Sequence, residues 1–370
     1  LLDQRRVNAL ALTPSGAMAL VASGAKIQVW DVVAGRCVGT LTGHSDPVRA
    51  VAATSDGTRA VSGAGKEIRV WDLSTFACLR KLSSRTSRVT ALAVPRDGRI
   101  VIGALANGIR VWDADTGETT RRFKVPNGAR AVAATEDGQW VVAGCGTKVE
   151  MWNLTTGEHH ASLRYRPPSG VANLVHAVAV TPDGRYAVSE HRDRLIVWEL
   201  AKGESSRSLS GHGGQLNGVA LFGGDNRIIS GARDGLVRIW DLRSGSCLRT
   251  IEAHARGIVA IAVSADGRYG LTAGKDSAVR VLALSGIAER QASWSVSQLS
   301  SASETISNEA AVQALLADAE KALQSNEPAR ADELIRQVRR TRGFEHDPRA
   351  DALMHEAGCR GGVRLSLIHI

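Results

Sequence analysis

The sequence predicts an all-β seven-bladed β-propeller followed by a small α-helical segment, and three observations carry the prediction. A Trp recurs as Trp30, Trp71, Trp112, Trp152, Trp198 and Trp240, each followed by Asp, Asn or Glu, with Leu282 in the equivalent last place. The gaps of 41, 41, 40, 46, 42 and 42 residues keep to the period of one four-stranded blade. A second marker gives the same count of seven: Ser15-Gly16, Asp56-Gly57, Asp97-Gly98, Asp137-Gly138, Asp183-Gly184, Asp225-Asn226 and Asp266-Gly267 each stand between apolar runs. Gly and Asn accept the positive φ of two-residue turns, so these dipeptides predict hairpins. Third, the apolar period turns helical from Asn308 onward.

Each repeat supplies four strands in order. A short alternating strand precedes the hairpin, as in Val48 to Ala53 and Ile258 to Val263, and a near-continuous apolar strand follows it, as in Trp140 to Val142 and Ile228 to Ser230. The Trp-bearing strand comes next, as in Ile68 to Leu73. A Thr-Gly or Ser-Gly turn at Thr116-Gly117, Thr156-Gly157 or Ser244-Gly245 then leads to a fourth strand such as Cys247 to Ile251. Four antiparallel strands joined by short turns describe one blade. The 46-residue gap arises from an insertion near Tyr165-Arg166-Pro167-Pro168-Ser169, where two prolines stiffen a loop that carries an aromatic between Arg164 and Arg166.

After Leu284 the repeat stops. Residues 1–286 therefore form the expected propeller and 287–307 a Ser-rich linker, in which Ile287 to Trp294 is a candidate outer strand for blade seven. Without it that blade keeps three strands and an exposed edge. Residues 308–360 read as a helical hairpin or spacer. Ala311, Leu315, Ala319, Ala322 and Leu323 share one face of a helix capped by Ser307 or Asn308, and Ala331, Leu334, Ile335 and Val338 share a face of a second. Residues 361–370 are expected to be a non-native tail: LSLIHI, Leu365 to Ile370, reads as a translated transposase adapter (CTG TCT CTT ATA CAC ATC), with the natural chain continuing past about Leu365.

Several phrases resemble the WD-repeat family of β-propellers: TGH at Thr42 to His44, SGH at Ser210 to His212, SGARDGLVRIWDL at Ser230 to Leu242, and the repeated IRVWD. The resemblance covers residues 1–286. It implies a hydrogen-bonded tetrad of His, Ser or Thr, Asp and Trp within a blade, and His212, Ser230, Asp234 and Trp240 match all four positions. His254, Thr272 and Asp276 match three, with Leu282 for the Trp. His44, Ser62 and Trp71 lack the Asp, and the middle repeats lack the His, having Arg85, Val125 and Val171 there. The resemblance also puts the loops before each first strand and each Trp strand on one face. That face would hold Asp46, Arg49, Arg88, Arg130, Arg166, Gln215, Asn217, Arg233, Arg256 and Lys275, with Tyr165 beside them. The two-helix segment matches tetratricopeptide spacing without that family's aromatic and Pro positions, and it resembles helical spacers between propellers in large bacterial WD-repeat proteins.

Composition narrows the rest. With 370 residues, 44% hydrophobic and 22% charged, the chain fits one large repeat domain and an appendage. No run approaches the roughly 18 apolar residues of a membrane helix, and a cytoplasmic location is expected. Residues 1–286 hold 36 Lys and Arg against 25 Asp and Glu, while residues 287–370 hold 10 against 12, so the basic character belongs to the repeats. Cys37, Cys78 and Cys247 recur at one place in three repeats, a spacing that suits strand-filling residues rather than disulfides or a metal cluster. His159, His160 and His191 stand apart from other ligand types and read as surface residues. Neither a phosphate loop nor a nucleophile motif is visible, so no cofactor and no enzyme activity is expected.

The function expected is a non-catalytic scaffold that binds a protein or peptide, with an acidic one favoured by the basic rim, as part of a larger bacterial signalling or regulatory protein. Tyr and Arg suit binding hot spots, which singles out Tyr165 and Arg166. A propeller-based enzyme and nucleic-acid binding through the basic face remain as alternatives.

Overall fold

The structure is a computed structural model that describes residues 7–85, 87–95, 97–165, 174–222, 227–284, 302–325 and 327–340. Blade one comprises β1 (Val7–Leu12), β2 (Met18–Ser23), β3 (Lys26–Asp31) and β4 (Arg36–Leu41). Blade two follows with β5 (Val48–Ala53), β6 (Arg59–Ala64), β7 (Glu67–Asp72) and β8 (Cys78–Ser83). Blade three has β9 (Val89–Ala93), β10 (Ile100–Leu105), β11 (Gly108–Asp113) and β12 (Thr119–Lys124), and blade four β13 (Ala131–Ala134), β14 (Trp140–Cys145), β15 (Lys148–Asn153) and β16 (His159–Arg164). Blade five consists of β17 (Val178–Val180), β18 (Tyr186–His191), β19 (Arg194–Glu199) and β20 (Glu204–Ser210); blade six of β21 (Leu216–Phe222), β22 (Arg227–Ala232), β23 (Leu236–Asp241) and β24 (Cys247–Glu252). Blade seven holds β25 (Ile258–Val263), β26 (Tyr269–Gly274) and β27 (Val279–Ala283).

Every sheet pairs its strands in sequence order, antiparallel throughout. Blade seven has three strands among the described residues; the candidate outer strand Ile287 to Trp294 lies outside them. The first strands neighbour one another in turn, with β25 returning to β1, so they ring a central channel. Burial explains why the ring holds. Seven apolar clusters each straddle one boundary between neighbouring blades. One of them closes the circle by joining Val7, Leu10 and Leu12 of blade one to Leu271, Ala273 and Val281 of blade seven. A single blade cannot bury both of its faces, and stacking neighbours on either side supplies what it lacks.

Close approach at these boundaries selects residue size. A Cβ added to Gly231 would stand 2.5 Å from Ile261 of the next blade, and one added to Gly63 2.6 Å from Val89. The corresponding positions elsewhere are Ala22, Ala104, Gly144 and Ala273, with Glu190 in blade five.

The turns differ from expectation. The Asp-Gly dipeptides sit in four-residue loops: Thr54 and Arg59 pair across Ser55 to Thr58, Gly57 N–H donates to Thr54 O at 2.9 Å, and Gly57 has φ +70°. A hydroxyl two residues before the Asp fixes this loop. Thr54, Thr135, Thr181 and Ser264 donate to Asp56, Asp137, Asp183 and Asp266, and accept from the first amide of the following strand. The true two-residue turns lie between second and third strands, at Gly24-Ala25, Gly65-Lys66, Ala106-Asn107, Gly146-Thr147 and Arg192-Asp193. The acidic residue after the Trp also has a local task. Asp72 Oδ1 accepts the amides of Ser74 and Thr75 at 2.8 Å each, and Asn153 does the same for Thr155 and Thr156, which closes the turn into the outer strand.

Separately, α1 (Ala302–Gln324) and α2 (Pro328–Arg340) pack together. Leu316, Ala319, Ile335 and Val338 form one buried cluster, and Ala322, Leu323 and Ala331 another. Helix α1 begins at Ala302, ahead of the expected cap at Ser307 or Asn308, because no Gly or Pro interrupts that stretch. Leu316 and Leu323 are buried, whereas Leu315 is half-buried. Pro328 occupies the first position of α2, where its missing N–H costs nothing. The tail at 361–370 lies outside the described residues, and no described helix is long and apolar enough to cross a membrane.

Candidate functional site

The first strands share a bulge at their channel-mouth end. The ladder skips Asn8, Arg49, Thr90, Asn217 and Val259, each an extra residue that bends its strand and redirects a side chain. Arg130 and His176 hold the same register ahead of β13 and β17, since Ala131 faces Gly144 and Ala177 O accepts the Glu190 amide. Two members of this ring are tied to the next blade: Thr90 Oγ1 donates to Ala129 O at 2.8 Å and Asn217 Nδ2 to Ile258 O at 2.7 Å. Arg49, Arg130 and His176 are exposed. So are Arg88, Arg233, Arg256 and Lys275 on the same loops. His176 was not among the residues expected there, although its place in the repeat matches Arg49 and Arg130. Arg88 borders an open cleft of about 490 Å³ together with Asp46, Lys66, Glu67 and Lys81.

Below these loops lie chains of buried hydrogen bonds. In blade six Trp240 Nε1 donates to Ser230 Oγ at 2.8 Å, Ser230 Oγ meets His212 Nε2 at 2.8 Å, and His212 Nδ1 meets Asp234 Oδ2 at 3.0 Å. Asp234 also accepts the amides of Gly213 and Leu236. Burial works against its charge, yet those amides and His212 outweigh it and hold the carboxyl below its usual range. Burial keeps His212 below the ordinary imidazole value, so the ring is neutral at pH 7. Blade seven repeats the pattern with His254, Thr272 and Asp276; Leu282 brings no N–H to Thr272 at the Trp position, and Arg280 adds a donor to Asp276 at the other end of the chain.

Four segments of the chain match the family described as WD domain, G-beta repeat: residues 35–72, 76–113, 203–241 and 245–281. The chain is a WD-repeat propeller. No curated protein matches it. Each matched segment begins with the outer strand of one blade and ends with the Trp strand of the next, so the WD repeat is offset from the sheet and every repeat ties two neighbouring blades together.

The other blades of this WD-repeat propeller modify the chain of bonds. In blade two His44 Nε2 meets Ser62 Oγ and Trp71 Nε1 donates to the same hydroxyl, each at 2.7 Å, but His44 Nδ1 has no partner among the described residues. Burial first, then Arg69, pulls His44 down to about 4. Blade five departs from the sequence reading. His191 is buried, 2% exposed, instead of lying on the surface. From inside β18 its Nε2 meets Ser189 Oγ at 3.0 Å while Trp198 Nε1 donates to that oxygen at 2.7 Å. It thus fills the place of the missing loop histidine, and burial lowers it to about 4. The signal was present as Ser189-x-His191 nine residues before Trp198.

Between those two residues, Glu190 is fully buried with neither carboxylate oxygen hydrogen-bonded among the described residues. Burial pushes it up to about 8. Tyr165, expected as an exposed anchor, is half-buried. It packs on His191 with ring centroids 5.2 Å apart and accepts from Arg194 at 3.4 Å. Arg166 and the prolines after it lie outside the described residues. His159 is exposed but not isolated, since Glu150 lies 2.8 Å away across the β15–β16 ladder. Cys247 is exposed and Cys78 half-exposed, so the recurring cysteine does not fill a strand interior there.

Proposed function

We propose that this WD-repeat propeller is a non-catalytic scaffold whose loop face binds an acidic segment of a protein partner. One observation carries the reading: Arg49, Arg88, Arg130, Arg233, Arg256 and Lys275 are exposed and take part in no ion pair among the described residues, whereas Asp234 and Asp276 beneath them are paired within their own blades. Unspent charge of one sign on the loops attracts the opposite sign and speeds its capture. The Ser, His and Asp of blade six do not favour hydrolysis. Ser230 is wholly buried and already accepts the Trp240 N–H, so no substrate carbonyl can reach it. The helical pair fits a spacer within a longer bacterial signalling or regulatory protein.

Fluorescence anisotropy with a Glu-rich peptide, a Lys-rich peptide and single-stranded DNA tests the proposal. The acidic peptide should bind, and Arg49→Glu with Arg88→Glu should weaken it without changing the melting temperature. Binding of DNA alone, with affinity falling steeply in salt, would replace the protein partner by nucleic acid.

A further inference from the structure

Arg130, His176 and Arg233 stand on adjacent blades at one sector of the channel mouth. Arg130 and His176 occupy equivalent places on neighbouring first strands, β13 and β17. Their backbone is pinned there: Arg130 N–H donates to Gly144 O at 2.9 Å, and Val175 N–H, just before His176, to Gly146 O at 2.8 Å. Arg233 enters from the β22–β23 turn, with its own amide on Gln215 O at 2.8 Å. Gly214 leaves the space it passes through, since a Cβ there would lie 3.2 Å from Arg233 Cβ.

The grouping is electrostatic as well as topological. Partial burial first, then the guanidinium groups of Arg130 and Arg233, hold the His176 imidazole below the ordinary value. Among the described residues no carboxylate counts among the groups that act on His176, and Asp193, on the β18–β19 turn, lies 3.6 Å from Arg194. Asp234, the neighbour of Arg233, is engaged by His212, Gly213 and Leu236, and Glu190 lies on the sheet face turned toward blade six. Asn217, next in the ring, is committed to Ile258 O. The result is two unneutralised cations flanking a neutral imidazole that can still donate a hydrogen bond.

We infer that Arg130, His176 and Arg233 form an oxyanion-binding site that takes a carboxylate or phosphate group carried on a side chain of the protein partner. The site rests on the binding-face reading above and narrows it to blades four to six. Each guanidinium supplies charge-assisted donors in a fixed fork that matches a carboxylate or phosphate. A bound anion also cancels the repulsion that now disfavours imidazolium, so binding draws a proton onto His176. Affinity therefore rises as pH falls through the ordinary imidazole range.

The test is histidine-labelled NMR of the full chain, with His176 assigned by loss of its signal in His176→Gln. The ring is titrated in sodium chloride, sodium acetate and sodium phosphate at equal ionic strength. Acetate or phosphate should raise the His176 midpoint by about 0.5 or more relative to chloride, and Arg130→Ala with Arg233→Ala should abolish the rise. A larger effect of phosphate points to a phosphorylated partner and a larger effect of acetate to an acidic one. Equal midpoints in all three salts, or a rise that survives the double substitution, overturn the site. Peptide binding without any anion effect on His176 sinks the site but leaves the scaffold; an anion effect without peptide binding does the reverse.

Discussion

Glu190 makes the wild-type propeller lose stability as pH rises from 4.5 to about 8, and Glu190→Gln should remove that dependence. The side chain springs from β18 at the position where other blades carry Gly63, Gly144 and Gly231, whose added Cβ would press on Val89, Val175 and Ile261 of the following blade. By register Glu190 therefore faces Leu216 and Val219 of blade six, an apolar seam with nothing to stabilise a carboxylate. Its pKa rises from an ordinary 4.5 to about 8.

The sign follows from proton binding. Between those two values the folded chain holds a proton that the unfolded chain has released, so stability falls as pH rises, by ~1.4 kcal/mol per pH unit at most. Below 4.5 both states are protonated and above 8 both are ionised, so the loss is confined to the window between. Integrated across it, the loss is on the order of 5 kcal/mol, an upper bound because water entering the seam would relieve the charge. Gln keeps the shape and never ionises. Urea unfolding followed by Trp fluorescence at pH 5, 6, 7, 8 and 9 gives the difference between variant and wild type. That difference should be small at pH 5, grow in favour of Gln through pH 8 and then level off. An absolute offset is uninformative, since an unpaired amide carries its own burial cost. Parallel profiles from pH 5 to 9 would refute the reasoning, because they would mean that Glu190 is ionised, or partnered, in the folded state.

Other consequences are simpler to state. Asp234→Ala orphans His212 Nδ1 and the Gly213 amide, and should cost roughly 1–3 kcal/mol of stability while leaving the affinity of the folded protein for an acidic peptide unchanged; an affinity loss at constant unfolding midpoint would contradict the structural role. Burial depresses His44 and His191 to about 4, so as pH falls below 6.5 the unfolded chain takes up protons first and stability declines until about pH 4; His191→Phe should flatten part of that acid limb, and an unaltered limb in urea titrations would count against a buried neutral ring. Gly63→Val drives a branched side chain against Val89, where even a Cβ would lie 2.6 Å from Cγ1, and should lower the unfolding midpoint strongly, whereas Gly57→Asn, at φ +70°, should cost little because Asn tolerates that conformation.

What the sequence made legible was whatever repeats. The Trp period gave the blade count, and SGARDGLVRIWDL gave one complete tetrad, because both depend on local spacing. What it hid depends on where a side chain points across a blade boundary. Glu190 in an apolar strand reads as one more alternating polar residue; its burial emerges only when β18 is set in register with strands that carry Gly or Ala. His191 was overlooked because the expected histidine comes from the loop before the first strand, whereas here a residue two places along from Ser189 supplies the same ring. The Asp-Gly loops are four residues long, not two, because the hydroxyl two residues before the Asp accepts the first amide of the next strand, a contact that the dipeptide alone does not encode.

A single residue of spacing decides which blades finish their tetrads. Ser62 to Trp71 and Ser189 to Trp198 are nine residues apart, while Ser230 to Trp240 and Thr272 to Leu282 are ten. Nine leaves a two-residue turn between second and third strands, as at Gly65-Lys66 and Arg192-Asp193, and among the described residues no carboxylate from such a turn bonds His44 or His191. The tenth residue lengthens the turn enough for Asp234 and Asp276 to reach back to His212 and His254. The same lengthened turn carries Arg233, which is exposed and acts on His176 as Arg130 does. The element that completes the buried tetrad of blade six therefore also presents the cation above it, so structure and recognition cannot vary independently at that turn. Deleting one residue from Arg233-Asp234-Gly235 should remove both at once.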